Sequence, residues 1–189
     1  KGIDWLIFYG KGFGWKEGYA FPAYGQLTSE ECERPLVIAT NDFSHFELLS
    51  YLPSDINGPI LNESSIVFDG RKYYMFMREE TYPMGIWSSA SEDLQNWETP
   101  ERFLSFAHAP MALFHENKFY LAFRDLISEK KTGISLAYTS NMYKNVIDEY
   151  SGNPYDGGYS GMEVIDGKIF MIYYIGNKKG EPYIKCCRL

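Results

Sequence analysis

Apolar residues along this chain come in short runs, not on a helical period. The runs are mostly five to seven residues long and rich in Tyr, Phe, Ile and Val, and Asp-Gly or Asn-containing turns separate them. No stretch of ten or more residues spaces its apolar side chains as a helix would. The pattern predicts an all-β chain. One hairpin recurs three times: NESSIVFDGRKYYMFMRE (Asn62 to Glu79), HAPMALFHENKFYLAFRD (His108 to Asp125) and YSGMEVIDGKIFMIYY (Tyr159 to Tyr174). Each copy is anchored by the lysine after its turn: Lys72, Lys118 and Lys168.

A second motif alternates with the first. ATNDFSHF (Ala39 to Phe46), ASEDLQNW (Ala90 to Trp97) and TSNMYKNV (Thr139 to Val146) align without gaps at spacings of 51 and 49. Each follows a short apolar strand (PLVIAT, GIWSSA, GISLAYT) and precedes another strand-like stretch. Two hairpins per unit make four strands, and the unit recurs at a period of about 40–50 residues, the mark of a β-propeller blade. The expected fold is a single β-propeller region over residues 1–189, with blades at about 1–56, 57–104, 105–152 and 153–189. Aligning WLIFYG (Trp5 to Gly10) with YYMFMR (Tyr73 to Arg78) makes the first blade begin at its turn, without an inner strand. The last blade stops on its third strand, PYIKCCRL. About three and a half blades result, where closed propellers have about four to eight. An open arc leaves strand edges unpaired, so the chain is expected to be the C-terminal part of a larger propeller, with the missing blades of the parent chain as its partner. A four-bladed propeller with a degenerate first blade is the alternative.

The hairpins place chemistry at one edge. Six residues after each anchor come Arg78, Arg124 and Tyr174, and nine before it Glu63, Ala109 and Tyr159. The residue entering a hairpin and the residue leaving it share the end opposite the turn. Side-by-side hairpins therefore line one rim with Glu63, Arg78, Arg124 and Tyr159. Two guanidinium forks on one rim suit a carboxylate. Each residue also has a plain structural use, since Glu79 and Glu80 flank Arg78, Asp125 follows Arg124, and tyrosines are abundant. His108 opens its hairpin one residue before the Glu63-equivalent position, as a substrate contact on the rim or a histidine hydrogen-bonded to backbone.

Composition narrows the function classes. A net charge of −7 argues against nucleic acid as a partner. It also leaves any bound anion to local arginines and not to long-range steering. No apolar run is long enough to span a bilayer. Cys32, Cys186 and Cys187 make neither a disulfide framework nor a zinc spacing. His45 and His115 fall in turns, and with three scattered histidines neither metal nor cofactor is expected.

Asn62-Glu63 leading into an apolar strand, an Asp-Gly turn and an arginine 15 positions after the glutamate resembles the bacterial exo-sialidases, over residues of about 60 to 175. The resemblance implies a glycoside hydrolase in which Tyr159 is the nucleophile and Glu63 its base. Arg78 and Arg124 then hold the carboxylate of a terminal acidic sugar, and His108 lies beside them. It implies a carbohydrate substrate and a secreted or periplasmic protein. The mechanism has a rationale: a neutral phenol paired with a carboxylate can attack an anomeric carbon whose own carboxylate would repel a carboxylate nucleophile. Neither Asp4 nor Arg34 has the context of that family's N-terminal acid or first arginine. SEDLQNW (Ser91 to Trp97) is shorter than the sialidase Asp-box and is similar to strand ends of five-bladed furanosidase-type glycosidases. Those enzymes need further carboxylates, for which Glu63 and Asp125 serve. A furanosidase-type hydrolase and a non-catalytic glycan-binding propeller therefore stay open beside the sialidase reading. Trp15, Trp87 and Tyr82 suit sugar stacking in all three.

Overall fold

A computed structural model describes residues 2–53, 58–129, 131–138, 144–151, 158–176 and 181–189, with the side chains of 150 and 151 left aside. Among the described residues sixteen strands form four antiparallel sheets in a propeller arrangement, and there is no helix. The first sheet holds β1 (Ile3–Phe8), β2 (Phe13–Trp15), β3 (Gly18–Leu27), β4 (Glu33–Thr40) and β5 (Glu47–Tyr51). The second holds β6 (Leu61–Phe68), β7 (Tyr73–Glu79), β8 (Gly85–Ser91) and β9 (Glu101–Ser105). The third holds β10 (Ala107–His115), β11 (Lys118–Ser128), β12 (Lys131–Tyr138) and β13 (Lys144–Ser151). The fourth holds β14 (Ser160–Ile165), β15 (Lys168–Gly176) and β16 (Pro182–Arg188). Within each sheet the strands follow chain order, and the first strands β6, β10 and β14 lie against one another. No helix among the described residues is long and apolar enough to cross a membrane.

The first blade corrects the sequence expectation. Its inner strand is present but broken in two. Strand β1 pairs with the second half of β3, Phe8 opposite Ala23, and β2 pairs with the first half, Trp15 opposite Gly18. Between them Tyr9 to Gly12 leaves the ladder. Gly10 sits there at φ +78°, where a Cβ would come within 2.7 Å of the Ser64 carbonyl oxygen. Only glycine tolerates both the backbone angle and the approach. WLIFYG is thus a first strand and not a second, and Gly18 takes the place of the anchoring lysines.

Side-chain alternation builds the core between blades. On β7, Tyr73, Met75 and Met77 face the first blade and pack with Leu94 and Trp97 onto Ala20, Val37 and Leu52. The opposite face of β7, with Tyr74 and Phe76, meets Leu121, Phe123 and Ala137 of the third blade. Ala122, Ile134 and Leu136 in turn meet Met171, Tyr173 and Ile175 of the fourth. Each fully buried side chain of this size contributes about 1.5–3 kcal/mol of transfer free energy.

The second motif is a turn that feeds this core. The Asp93 carboxylate accepts the N–H groups of Gln95 and Asn96 at 2.8 Å each, and Asp42 does the same for Ser44 and His45. Those bonds, with the His45 ring first for Asp42 and the Asn96 main chain first for Asp93, hold both carboxyls well below the usual range, Asp42 at about 2. The tight turn turns Leu94 inward, and Trp97 donates its ring N–H to Ser50 at 3.1 Å. Trp15 and Trp87 pack at the edge of the same cluster and so are not free stacking platforms, whereas Tyr82 is exposed. His115 ends β10 and does not sit in the turn, Cys187 is half-buried, and Cys186 is exposed on β16.

Candidate active site at the blade rim

The rim is shaped by bulges. Register shifts between Leu61 and Ser64 in β6 and between His108 and Met111 in β10 re-aim the residues that enter these strands. Glu63 comes from the first bulge. The arginines leave the partner strands at the same end: Arg78 on β7 beside Ile86, and Arg124 on β11 opposite His108. Tyr159 stands just before β14, fixed by main-chain bonds from Gly158 to Tyr174 (2.9 Å) and from Tyr174 back to Tyr159 (3.3 Å). Gly158 has φ +96°, and a Cβ there would lie 2.8 Å from Arg124 Cγ. Gly158 therefore lets the arginine lie against the backbone just before the tyrosine.

The four rim residues come together. The Tyr159 hydroxyl donates to Glu63 Oε1 at 2.6 Å. The other carboxylate oxygen, Oε2, lies 3.1 Å from Arg78 Nη1, and Arg78 Nη2 reaches Glu80 Oε2 at 2.6 Å. Asn62 supports this pair: its amide donates to Glu80 and to Glu33 at 3.1 and 2.8 Å, and its carbonyl accepts the Glu63 N–H. The Arg124 guanidinium sits 5.0 Å from the Tyr159 ring centre, and the Tyr174 ring stacks on Tyr159 at 6.0 Å. Glu63, Asn62, His108 and Arg124 are buried, Tyr159 and Arg78 partly so.

Electrostatics follow from that packing. Burial first, then the hydrogen bond and negative charge of Glu63, push the Tyr159 phenol up to about 12, against the pull of Arg124 and Arg78. For Arg78 burial works against the charge, but Glu63 and Glu80 outweigh it and the pKa is raised. His108 is driven down to about 3, by burial first and then by Arg78 and Arg124, against the Glu79 main chain. It is a neutral imidazole at any ordinary pH, and neither ring nitrogen makes a hydrogen bond of good geometry. His108 is thus a buried residue of β10 and not of a loop, beside both arginines and with the Glu79 main chain against its ring.

Two rim residues escape a sequence reading that anchors only on lysines. With Gly18 as the first anchor, Tyr9 lies nine residues before and Tyr24 six after. Tyr9 swings out of the broken strand, reaches the Pro110 carbonyl at 3.4 Å and sets its ring 6.0 Å from that of Tyr159. Burial of its hydroxyl end, then the charge of Glu63, pushes Tyr9 well up, and the same two causes raise Tyr24. Other expected partners do not join. Glu79 pairs with Arg102 at 2.7 Å, not with Arg78. Asp125 is fully buried behind the rim, bonded to Ser135 at 2.8 Å and Lys144 at 2.9 Å, because the strand alternation sends it to the other face from Arg124. Asp4 binds Thr28, and Arg34 lies beside Glu30. A cavity of about 380 Å³ between the first two blades, lined by Leu52, Pro59, Leu61, Trp87, Trp97 and Pro100, shares no residue with the cluster. Among the described residues no group of three or more His, Cys, Asp or Glu side chains could hold a metal ion.

Chemically, the cluster is a phenol hydrogen-bonded to a carboxylate that can take its proton, flanked by two guanidinium groups. It can deliver a phenolate-like oxygen to an electrophilic centre while an adjacent anion is held.

No protein-family profile matches the sequence, and no curated protein matches it. Solved structures match in fold. A protein of unknown function from Dyadobacter fermentans superposes with a TM-score of 0.79 at 16% identity, over 97% of this chain and 53% of that one. The phage phi92 endosialidase does so at 0.68 and 13%, over 92% of this chain and 33% of that one. The catalytic domain of the Coprinopsis cinerea family GH62 α-L-arabinofuranosidase does so at 0.63 and 12%, over 98% and 65%. The chain thus spans about half the length of the Dyadobacter protein. At these identities the likeness establishes the β-propeller, and it does not single out the sialidases.

Proposed function

We propose that this chain forms the catalytic rim of a glycoside hydrolase that removes a terminal acidic sugar in the manner of an exo-sialidase. The observation that supports this is the 2.6 Å hydrogen bond from Tyr159 to Glu63, set between Arg78 and Arg124. In this reading the arginines hold the sugar carboxylate, and Glu63 accepts the phenol proton as Tyr159 attacks the anomeric carbon. A glycosyl-tyrosine forms, the leaving group departs with a proton from an acid outside this cluster, and water then releases the sugar with Glu63 assisting. His108, neutral and buried beside the arginines, offers a hydrogen-bonding edge without adding charge. A secreted or periplasmic location belongs to the same proposal.

The competing reading is a furanosidase-type hydrolase, which the fold of the arabinofuranosidase suits equally well. Its chemistry needs a second unencumbered carboxylate. On the rim Glu80 is held by Arg78 and Asn62, and Asp125 faces away with Lys144, so in this reading the second carboxylate, like the acid of the phenol mechanism, comes from outside the cluster. The test is turnover of a fluorogenic sialoside by the natural polypeptide and by its Tyr159→Phe variant, with arabinofuranosyl and xylosyl substrates alongside. Loss of at least about a thousandfold in kcat on the sialoside is expected, the scale on which removal of a nucleophile acts. Activity on the furanosyl or xylosyl substrates that survives in Tyr159→Phe would move the chain to the second reading. Binding without turnover of any of the three would make it a glycan-binding propeller.

A further inference from the structure

Blade packing here obeys one positional rule. Counting from each anchor, the residues one, three and five positions on face the preceding blade: Tyr73, Met75 and Met77 after Lys72, and Met171 and Tyr173 at the last two of these positions after Lys168. The residues two and four positions on face the following blade: Tyr74 and Phe76, then Tyr120 and Ala122. The turn motif adds Leu94 and Trp97 to the preceding-blade side.

On the two outermost faces the positions nearest the turns carry apolar residues that stay exposed, whereas farther along the first blade Ala23, Leu36 and Ile38 are buried in a cluster of their own. In the first blade the counterparts of Tyr73, Met75, Leu94 and Trp97 are Tyr19, Phe21, Phe43 and Phe46. In the second blade Met75 and Leu94 are buried and Tyr73 and Trp97 half-buried, whereas Tyr19, Phe43 and Phe46 are 45%, 56% and 49% exposed and Phe21 is half-buried. They form an aromatic sheet, with Tyr19 5.0 Å from Phe43, and Phe8 5.6 Å from Phe21 and 5.7 Å from Phe46. In the fourth blade the counterparts of Tyr74 and Phe76 are Phe170 and Ile172, and opposite the latter stands Cys186. There Ile172 and Ile184 are 51% and 72% exposed.

We infer that the outer faces of the first and fourth blades are packing surfaces for a further antiparallel blade of the same polypeptide, seated in the wedge between them. The tie between the two outer blades and the length of the matched structure favour a blade over a second copy. Near the rim the two outer blades are already tied, Tyr9 against Tyr159 and Lys11 to Glu163. The two outer faces therefore belong to blades that already meet at one end, and the Dyadobacter protein, of which this chain covers 53%, has chain enough for a further sheet between such blades. Exposed aromatic area of this extent on a monomer marks an interface. The inference does not depend on the enzymatic reading.

Cys186 is a built-in probe. The natural polypeptide carrying these residues is treated with iodoacetamide at two protein concentrations, natively and in urea, and Cys186 is followed by peptide mass spectrometry. A covered face slows native labelling by on the order of a hundredfold relative to urea, equally at both concentrations. Labelling at the unfolded rate would show an open face and overturn the inference. Protection that vanishes on dilution would also overturn it, by assigning the face to a second copy. As an independent reading, Phe43→Asp with Phe46→Asp is expected to lower the melting temperature by several degrees, because a buried charge must be desolvated. An unchanged melting temperature contradicts a covered face.

Discussion

A phenol serves as a nucleophile only where its proton has a destination, and at this rim the destination is Glu63. The Tyr159 hydroxyl is pushed up to about 12, so it stays protonated until the carboxylate takes the proton. Alkaline titration followed by tyrosinate absorbance reads this without a substrate. Glu63→Gln removes the negative charge while Arg78 and Arg124 remain, so the Tyr159 transition is expected to move down toward the ordinary value near 10, with burial, its largest cause, still holding it up. An unmoved transition would separate the two groups electrostatically.

His108 makes the complementary prediction. Its pKa is about 3 against 6.5 for the free side chain. Below 6.5 the unfolded chain takes up a proton that the folded chain refuses until about 3, so the folded state loses stability as pH falls through that window. Above 6.5 both states hold the neutral ring and nothing is lost. In urea unfolding, His108→Gln is expected to flatten the decline between pH 6.5 and 4, by on the order of 2–3 kcal/mol. Equal slopes in both proteins would mean that the ring is solvated in the folded state.

At the scale of elements, legibility followed the turns. The blades anchored by Asp-Gly and Glu-Asn turns with a following lysine were readable, and with them Glu63, Arg78, Arg124 and Tyr159 as one rim. The first blade was not, because Lys16-Glu17 lacks the turn signature and Gly10 breaks the inner strand, which disguises β1 as a second strand. Tyr9 and Tyr24 were lost with it. Asp125 was misjudged for a different reason: strand alternation alone puts it on the other face from Arg124, but only burial and Lys144 show it to be structural. The fourth blade's first strand has its own element-level test in Gly158. A Cβ at φ +96° would strain the backbone and collide with Arg124. Gly158→Ala is expected to cost about 1–3 kcal/mol and, by displacing Arg124, to raise KM for an anionic substrate more than it lowers kcat. A change in stability without a change in KM would remove Arg124 from substrate binding.

Over the whole molecule, three hydrophobic interfaces join neighbouring blades in series, and the described contacts between the first and the fourth are of another kind. They come from the Tyr9–Gly12 excursion, the segment freed when the first blade's inner strand breaks. Tyr9 sets its ring against Tyr159 of the fourth blade and its hydroxyl toward Pro110 of the third, while Lys11 pairs with Glu163. The two contacts differ in strength. Both partners of the Lys11–Glu163 pair are more than half exposed, and such surface pairs contribute about 0–1 kcal/mol. A partly buried aromatic contributes more, about 2–3 kcal/mol on truncation, below the 3–5 of a fully buried one. Tyr9→Ala should therefore lower the unfolding free energy by that amount, and Lys11→Ala should leave it within 1 kcal/mol, both by urea denaturation. Tyr9 also packs directly on the proposed nucleophile, so its loss should shift the Tyr159 titration downward as water reaches the phenol, while Lys11→Ala leaves it in place. If Tyr9→Ala changes neither quantity, the excursion is surface decoration, and the rim is organised by the second, third and fourth blades alone.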